Sequence, residues 1–500
     1  MHSNIHHQQI QDLDRWYQHI KELMDFWPIA YYPFDHQKLD GVPVEDLIPQ
    51  PDRDSDWELI RQKAHQAEQE GFPMFMGYEW QGNGEDGDHN VFFQDNDQTM
   101  KHPLTYQELY ETYKNVEAIA IPHHPAYQLG FRGKNWATQI DEFSPFCEIY
   151  SSHGCSENDE ISLAMNRHVH MGPRTDDTCG QKGYEFGHRY GLIASNDAHV
   201  VPGRYFDGTM GLMARDNSKQ AIWEAMKARR VFGVSRDRIW LDFSLDGQEM
   251  GGSTTANPQA QLAVDATGSD TIDRIEVVAD NRTVMMIPHL VQPEAKETVR
   301  FKFKLEFGWS PDPGVFPEET EKIWDGVLRT AGHLWSVTRC FNDFGQQVLN
   351  QDDHQCAFSL RITNRSKEFN WMGGVANVTE ALIFEIECPR SEILDLTLNG
   401  KHWQLPVEEL LAGAKVYAMT EETDQKLAAQ YGYHGFYRQD ATWRNTYKFK
   451  TSKASLQDEY TVHDRVTIDT TRCSHVRLRI WQKNGSVAWS SPVFIDRPGE

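Results

Sequence analysis

Asp197 and His199 flank a single alanine just beyond the apolar run Gly191-Leu-Ile-Ala194, so an extended tip there presents a carboxylate and an imidazole on one side. That pair is a divalent-metal signature when further ligands arrive in the same way. They do. Phe146-Cys-Glu-Ile-Tyr-Ser-Ser152 is followed by His153, Glu117-Ala-Ile-Ala-Ile-Pro122 by His123 and His124, and Phe72-Pro-Met-Phe-Met-Gly77 by Tyr78-Glu79-Trp80, with His89 ten residues later. Histidine and carboxylate donors with few sulfur donors suit zinc, manganese or iron as the expected cofactor. The chemistry this implies is hydrolysis by metal-activated water.

The residues divide into roles by chemistry. Glu79 can bridge two cations, which neutral imidazoles do not normally do, and His89 follows a glycine-rich turn able to fold over the strand ends. His123 and His124 do not easily present the same face; Pro125 favours His124 as the ligand and leaves His123 to support it or to move a proton, with Glu157 as a second proton carrier. His2 is the leading amino-terminal ligand, ahead of His6 and His7. Arg132 and Arg204 follow two of the tips and are placed to clamp an anion, with Lys134 beside Arg132. The plainer readings are a buried polar network beneath a surface loop and salt-bridged loop residues. Tyr127, Trp136, Tyr150 and Tyr205 either wall a pocket or pack loops.

Apolar residues at helical spacing over 11–25 and 53–70, a third helical stretch over 216–230, and weaker ones near Ser156 and over 176–187 alternate with the strand-like runs. The order is strand then helix, which predicts an α/β domain with substantially parallel strands over 1–238, ligands lying beyond the strand ends. From 239 to 500 the pattern turns period-two, as in Ile239-Trp-Leu-Asp-Phe-Ser-Leu-Asp-Gly247 and His475-Val-Arg-Leu-Arg-Ile-Trp481, so a β-rich, sandwich-like accessory region is expected, with a long loop near 308–325. The histidines at 333, 354, 402, 434 and 463 are isolated there. A net charge of -25, from 74 acids against 49 bases, opposes stable binding along nucleic acids. Seven scattered cysteines, no secretory-type opening and no apolar run of about 18 residues predict a reduced, cytoplasmic protein. The expected partner is a small, anionic substrate, with homo-oligomerisation left open.

Taken together, Gly77-Tyr-Glu-Trp80, Gly87-Asp-His-Asn90, Ile121-Pro-His-His-Pro125, Arg132-Gly-Lys-Asn-Trp136, the segment Ser144–Glu157, Ala194-Ser-Asn-Asp-Ala-His199 and the segment Ala228–Ile239 resemble the PHP (polymerase and histidinol phosphatase) superfamily of metallohydrolases, and more closely its DUF3604 branch. The resemblance covers roughly residues 70 to 250. It implies a distorted (β/α)7 barrel, a cluster of two or three metals, and hydrolysis, commonly of a phosphate monoester or diester. A metal-dependent hydrolase or lyase acting on a carbohydrate or other non-phosphate compound is the alternative within the same chemistry, and a degenerate barrel that binds glycan or protein is the alternative outside it. This chain departs from the family at its opening. The usual Asp-Leu-His-x-His tip is matched only by His2, Asn4 stands where the second histidine is expected, and the leading strand is missing. A later family tip falls near Ala30-Tyr-Tyr32 with no histidine before His36. One metal position is therefore expected to be absent, or rebuilt through His6, His7 or His36.

Overall fold

The computed structural model describes residues 2–39, 42–163, 175–292, 296–308, 311–312, 314–363, 379–432 and 437–497. The chain forms two compact units, one of 1–268, 272–289 and 462–500, the other of 269–271 and 290–461.

The first unit opens with β1 (Ser3–His6), α1 (Leu13–Leu23) and β2 (Trp27–Tyr32). Leu13, Trp16, Tyr17, Ile20 and Leu23 form the buried stripe of α1, as their spacing predicts. α2 (Gln50–Gln69) buries Trp57, Ile60, Ala64 and Ala67 and ends before Gly71, whose φ of 74° only glycine adopts freely. Then come β3 (Met74–Trp80), β4 (His89–Phe93), α3 (Tyr106–Tyr113), β5 (Ala118–Pro122), β6 (Phe146–Ser151), β7 (Gly154–Cys155) and β8 (Gly191–Ala194). Every residue of β2 to β6 and of β8 is buried, which is why these segments read as continuous apolar runs rather than alternating ones. The helix foreseen near Ser156 lies in part outside the described residues, and the one foreseen over 176–187 is reduced to short turns at Asp176–Thr178 and Lys182–Glu185.

The (β/α)7 barrel that the resemblance implies is not formed. Among the described residues no sheet closes: one runs β1-β2-β3-β4-β5 and another β8-β6-β7, as separate open sheets. The pairing explains it. β1, β2 and β3 are mutually parallel, but β4 pairs antiparallel with both β3 and β5, so two successive crossovers are replaced by reversals of direction. β6 pairs with β8 in parallel but makes no ladder with β5. The segments after β8 join a different sheet: Gly208–Leu212 pairs with Val231–Ser235, which pairs with Val487–Ser490 near the carboxyl terminus. Gly208 and Gly233 press this sheet onto the end of β8; a Cβ at Gly233 would lie 2.6 Å from Ala194 N, and one at Gly208 would lie 2.8 Å from Ser195 N. The backbone leading into Asp197 is thereby held by close contact.

The rest of the first unit is a sandwich. Its four-stranded sheet contributes Leu241, Phe243, Leu262 and Val264 to a core shared with Ile275, Val277, Val476, Leu478 and Ile480 of the eight-stranded sheet. The second unit contains a six-stranded and a five-stranded sheet, with Phe307, Trp324, Phe358 and Phe449 in ring contact. Its Thr298–Gly308 strand alternates in burial as its sequence does. The loop expected near 308–325 falls partly outside the described residues, and the Glu321–Arg329 strand occupies its end.

Candidate metal centre

His123 and His124 follow β5, His153 follows β6, Asp197 follows β8, and His2 leads into β1. All five are at most 4% exposed. They form three overlapping groups in which one donor atom per residue lies within 4.8 Å of the others: His2, His123 and Asp197; Asp88, His123 and His124; and His124, His153 and Asp197. Both adjacent histidines are thus brought in. His124 achieves this with a left-handed backbone, φ 35°, where its proline neighbour predicts an extended one, and Asp197 also has positive φ, 47°. Such conformations cost of order 1–3 kcal/mol each and persist where surrounding structure enforces them.

Asp197 is central. Its Oδ1 lies 3.2 Å from His2 Nε2 and its Oδ2 3.1 Å from His153 Nε2. Burial opposes its ionisation, but His153, His123 and His2 outweigh burial and hold its pKa well below the usual carboxylate range. For His2, burial opposes the charge while Glu148 and Asp197 carry its pKa up to about 10. His123 goes the other way: burial lowers it to about 3 despite Asp197, so its imidazole is neutral. On the far side of β6, Tyr127 Oη is 2.8 Å from His153 Nδ1, which turns His153 Nε2 toward Asp197.

Glu79 lies at the margin, its Oε2 3.8 Å from His123 Nε2. Its oxygens accept from Gln81 Nε2 (2.9 Å) and from Asn4 Nδ2 (2.9 Å), and Asn4 Nδ2 also donates to Asp197 Oδ1 (3.1 Å). The Asn4 amide therefore links two carboxylates of the site. Burial, with Asp88 and Asp197 nearby, pushes Glu79 well above the ordinary range. His199 is half-buried, with Nε2 3.4 Å from Asn4 Nδ2 and Nδ1 2.7 Å from His6 Nε2. It shares the neighbourhood but belongs to none of the three groups.

Other expected site residues are engaged elsewhere. His89 donates through Nδ1 to Gly87 O (2.9 Å), accepts at Nε2 from Lys134 Nζ (3.3 Å), and stacks on Tyr106. Burial and Lys134 hold its pKa well below normal. Arg132 donates to Asp88 Oδ2 (2.8 Å), which brings it to the edge of the cluster. Glu157 is fully buried against Arg477 and Arg479, apart from the three groups. His7 pairs with Asp56 (2.7 Å), and the side chain of His36 lies outside the described residues. Two residues were not foreseen. Asp88, a member of one donor group, sits in a turn whose composition suggested only flexibility, and Glu148, which belongs to none but faces His2, lies inside an apolar strand with no local mark of its role.

Arg204 turns to Asp207 (3.8 Å), which also accepts from Asn196 Nδ2 (3.4 Å). Burial raises Asp207 to about 6 against the opposing pull of Arg204. A carboxyl whose pKa is higher folded than unfolded destabilises the fold when it ionises. The penalty is absent below the unfolded value near 4 and complete above about 6. Asp207→Asn is therefore expected to stabilise the chelator-treated protein at pH 8 by up to about 3 kcal/mol and to change nothing near pH 4. Urea unfolding at the two pH values checks this; an equal effect at both would rule it out.

A buried imidazole ordinarily hydrogen-bonds, yet among the described residues His123 does so through neither ring nitrogen and His124 not through Nδ1. Each unmet nitrogen costs about 1–3 kcal/mol. Asn4 Oδ1 is likewise without a partner. Lone pairs converging on one volume beside an ionised aspartate fit divalent cations.

No family model matches the chain. An uncharacterized protein of Chlamydia pneumoniae is 23% identical over 254 residues, covering 46% of this chain and 40% of that protein, so the match spans less than half of either. Among solved structures, a two-domain protein from Bacteroides vulgatus, described as containing a predicted PHP-like metal-dependent phosphoesterase, aligns with 76% of this chain and 85% of its own at 12% identity and a TM-score of 0.28. The chemistry open to the centre follows from its own residues.

Proposed function

We propose that this chain is a PHP-like metal-dependent hydrolase acting on a small phosphate monoester or diester at a centre of two divalent ions, with Asp197 as the shared ligand. The observation that carries the reading is the fully buried, neutral His123, whose ring nitrogens make no hydrogen bond while it belongs to two of the three donor groups. Because each histidine offers one donor, the groups His2–His123–Asp197 and His124–His153–Asp197 can be filled together, and they use opposite oxygens of Asp197. Bound divalent ions supply Lewis acidity toward a substrate oxyanion and lower the pKa of water at the site. Tyr127 fixes the ring of His153, and Asp88 fixes Arg132 as a positive group beside the cluster. The neutral Asn4 amide donates to both Glu79 Oε2 and Asp197 Oδ1 and so ties the two carboxyl groups together.

The test is metal content followed by turnover. Protein purified without chelators should carry about two equivalents of metal by elemental analysis, and should hydrolyse members of a phosphate-ester panel with Mn, Zn or Fe. No stoichiometric metal, together with no hydrolysis on metal addition, would overturn the reading. Hydrolysis confined to glycosides or carboxylic esters would move the substrate to a carbohydrate or other non-phosphate compound.

A further inference from the structure

We propose that Glu148 is a positioning residue that sets the tautomer of His2, so that His2 turns Nε2 toward the metal cluster; this rests on the metal reading above. Glu148 lies in the middle of β6, 1% exposed, on a strand buried along its whole length. Its Oε2 faces His2 Nδ1 at 3.0 Å, while His2 Nε2 faces Asp197 Oδ1 at 3.2 Å. The imidazole thus lies between two carboxylates, one on each edge. Only the Asp197 edge belongs to a donor group; Glu148 belongs to none. Neither Glu148 oxygen meets full hydrogen-bond geometry among the described residues, so its 3.0 Å approach to His2 Nδ1 is the one polar contact that accounts for a carboxylate in this strand.

Ser195 Oγ approaches the same edge of His2, at 2.8 Å from Nδ1, and also accepts from the His2 backbone N–H at 2.7 Å. A hydroxyl alone leaves the tautomer open, because it can donate to Nδ1 as readily as accept from it. A Glu148 oxygen stands 3.0 Å from that edge, and Ser195 Oγ, which already accepts the His2 backbone N–H, stands 2.8 Å from it; with two oxygens facing Nδ1, the ring proton belongs there and the Nε2 lone pair points at the cluster. Carboxylate partners of this kind orient metal-binding histidines and strengthen their donor atoms.

Three proteins decide the matter: wild type, Glu148→Leu, which removes the acceptor, and Glu148→Gln, which keeps a neutral one. Zinc affinity is measured by competition with a chromophoric chelator, and the stability of the chelator-treated proteins by urea unfolding. Glu148→Leu is expected to weaken zinc binding about 10- to 100-fold. Glu148→Gln should restore most of that loss, and the zinc affinity of each variant is read against its own metal-free stability. Should the leucine variant fail to fold, Glu148→Ala takes its place. Wild-type zinc affinity in the acceptor-less variant, or equal weakening in both, would overturn the role of Glu148 and leave the metal centre standing. A wild-type protein that binds no zinc at all would remove both.

Discussion

Asp197→Asn is expected to leave the purified protein with about a tenth or less of the wild-type metal content, and to abolish hydrolysis to the same degree. The substitution is nearly isosteric, so the loss reports charge and donor type. Asp197 is the residue common to the first and third donor groups, and it presents different oxygens to His2 and His153. An amide retains one oxygen, and its NH2 then faces one of those two histidines in place of a lone pair. That NH2 also confronts Asn4 Nδ2, which now donates to Asp197 Oδ1 at 3.1 Å. Two donor groups cannot satisfy one another, so either Asn4 rotates or the loop shifts. In chelator the metal-free variant loses the pairing of Asp197 with both His2 and His153 and should unfold at a lower urea concentration than wild type. Elemental analysis and urea unfolding on the same preparation separate the outcomes. Full metal content in Asp197→Asn would remove this residue from the centre, whatever happened to turnover.

The strand-tip donors that the structure gathers were legible because each follows an apolar run that is buried on both faces, a signal contained within eight or nine residues. His123, His124, His153 and Asp197 all sit where that signal places them. The departure at Asn4 was also visible, but not its consequence, since the link to Glu79 and Asp197 joins residues 75 and 193 positions away. The expected missing leading strand was supplied by Ser3–His6 itself, pairing with β2. Closure of the sheet could not be read locally at all. A parallel crossover and an antiparallel return leave the same apolar run in β4, and only the pairing distinguishes them. His89 joins none of the three donor groups, and its Nδ1 donates back to the glycine-rich turn at Gly87. Alternation misled in the His475–Gln482 strand, where Arg477 and Arg479 occupy the positions that a half-exposed strand gives to solvent. The strand is buried throughout. Its charged face needed a buried counter-charge from far away in the chain, and period-two patterning does not reveal one.

That counter-charge gives the second large effect. Glu157→Gln is expected to cost about 3–5 kcal/mol of stability at pH 7, because it leaves two buried guanidinium groups without their shared carboxylate. Glu157 is 0% exposed; its Oε1 accepts from Arg479 Nε (2.7 Å) and lies 2.6 Å from Arg477 Nη2, and its Oε2 accepts from Trp489 Nε1 (2.7 Å). Arg479 has a second partner in Glu276 (3.0 Å), whereas Arg477, also fully buried, has Glu157 as its ion-pair partner. Burial opposes ionisation of Glu157, but Arg477 and Arg479 outweigh it and hold the pKa below the ordinary value. The sign follows. The stabilisation is present above pH 4.5 and is lost as the pH falls through the lowered folded value, so the gap between wild type and variant should narrow in acid. Replacing Glu157, Arg477 and Arg479 together by apolar residues of similar volume should cost much less than Glu157→Gln alone, since no charge is then stranded. The segment held by this clamp begins at Gly154, immediately after His153, so a loosened clamp should also weaken metal retention. Urea unfolding across pH 4 to 8 distinguishes this from a proton-transfer role. If Glu157→Gln unfolded like wild type at every pH and lost only turnover, the carboxylate would belong to the chemistry and not to the clamp.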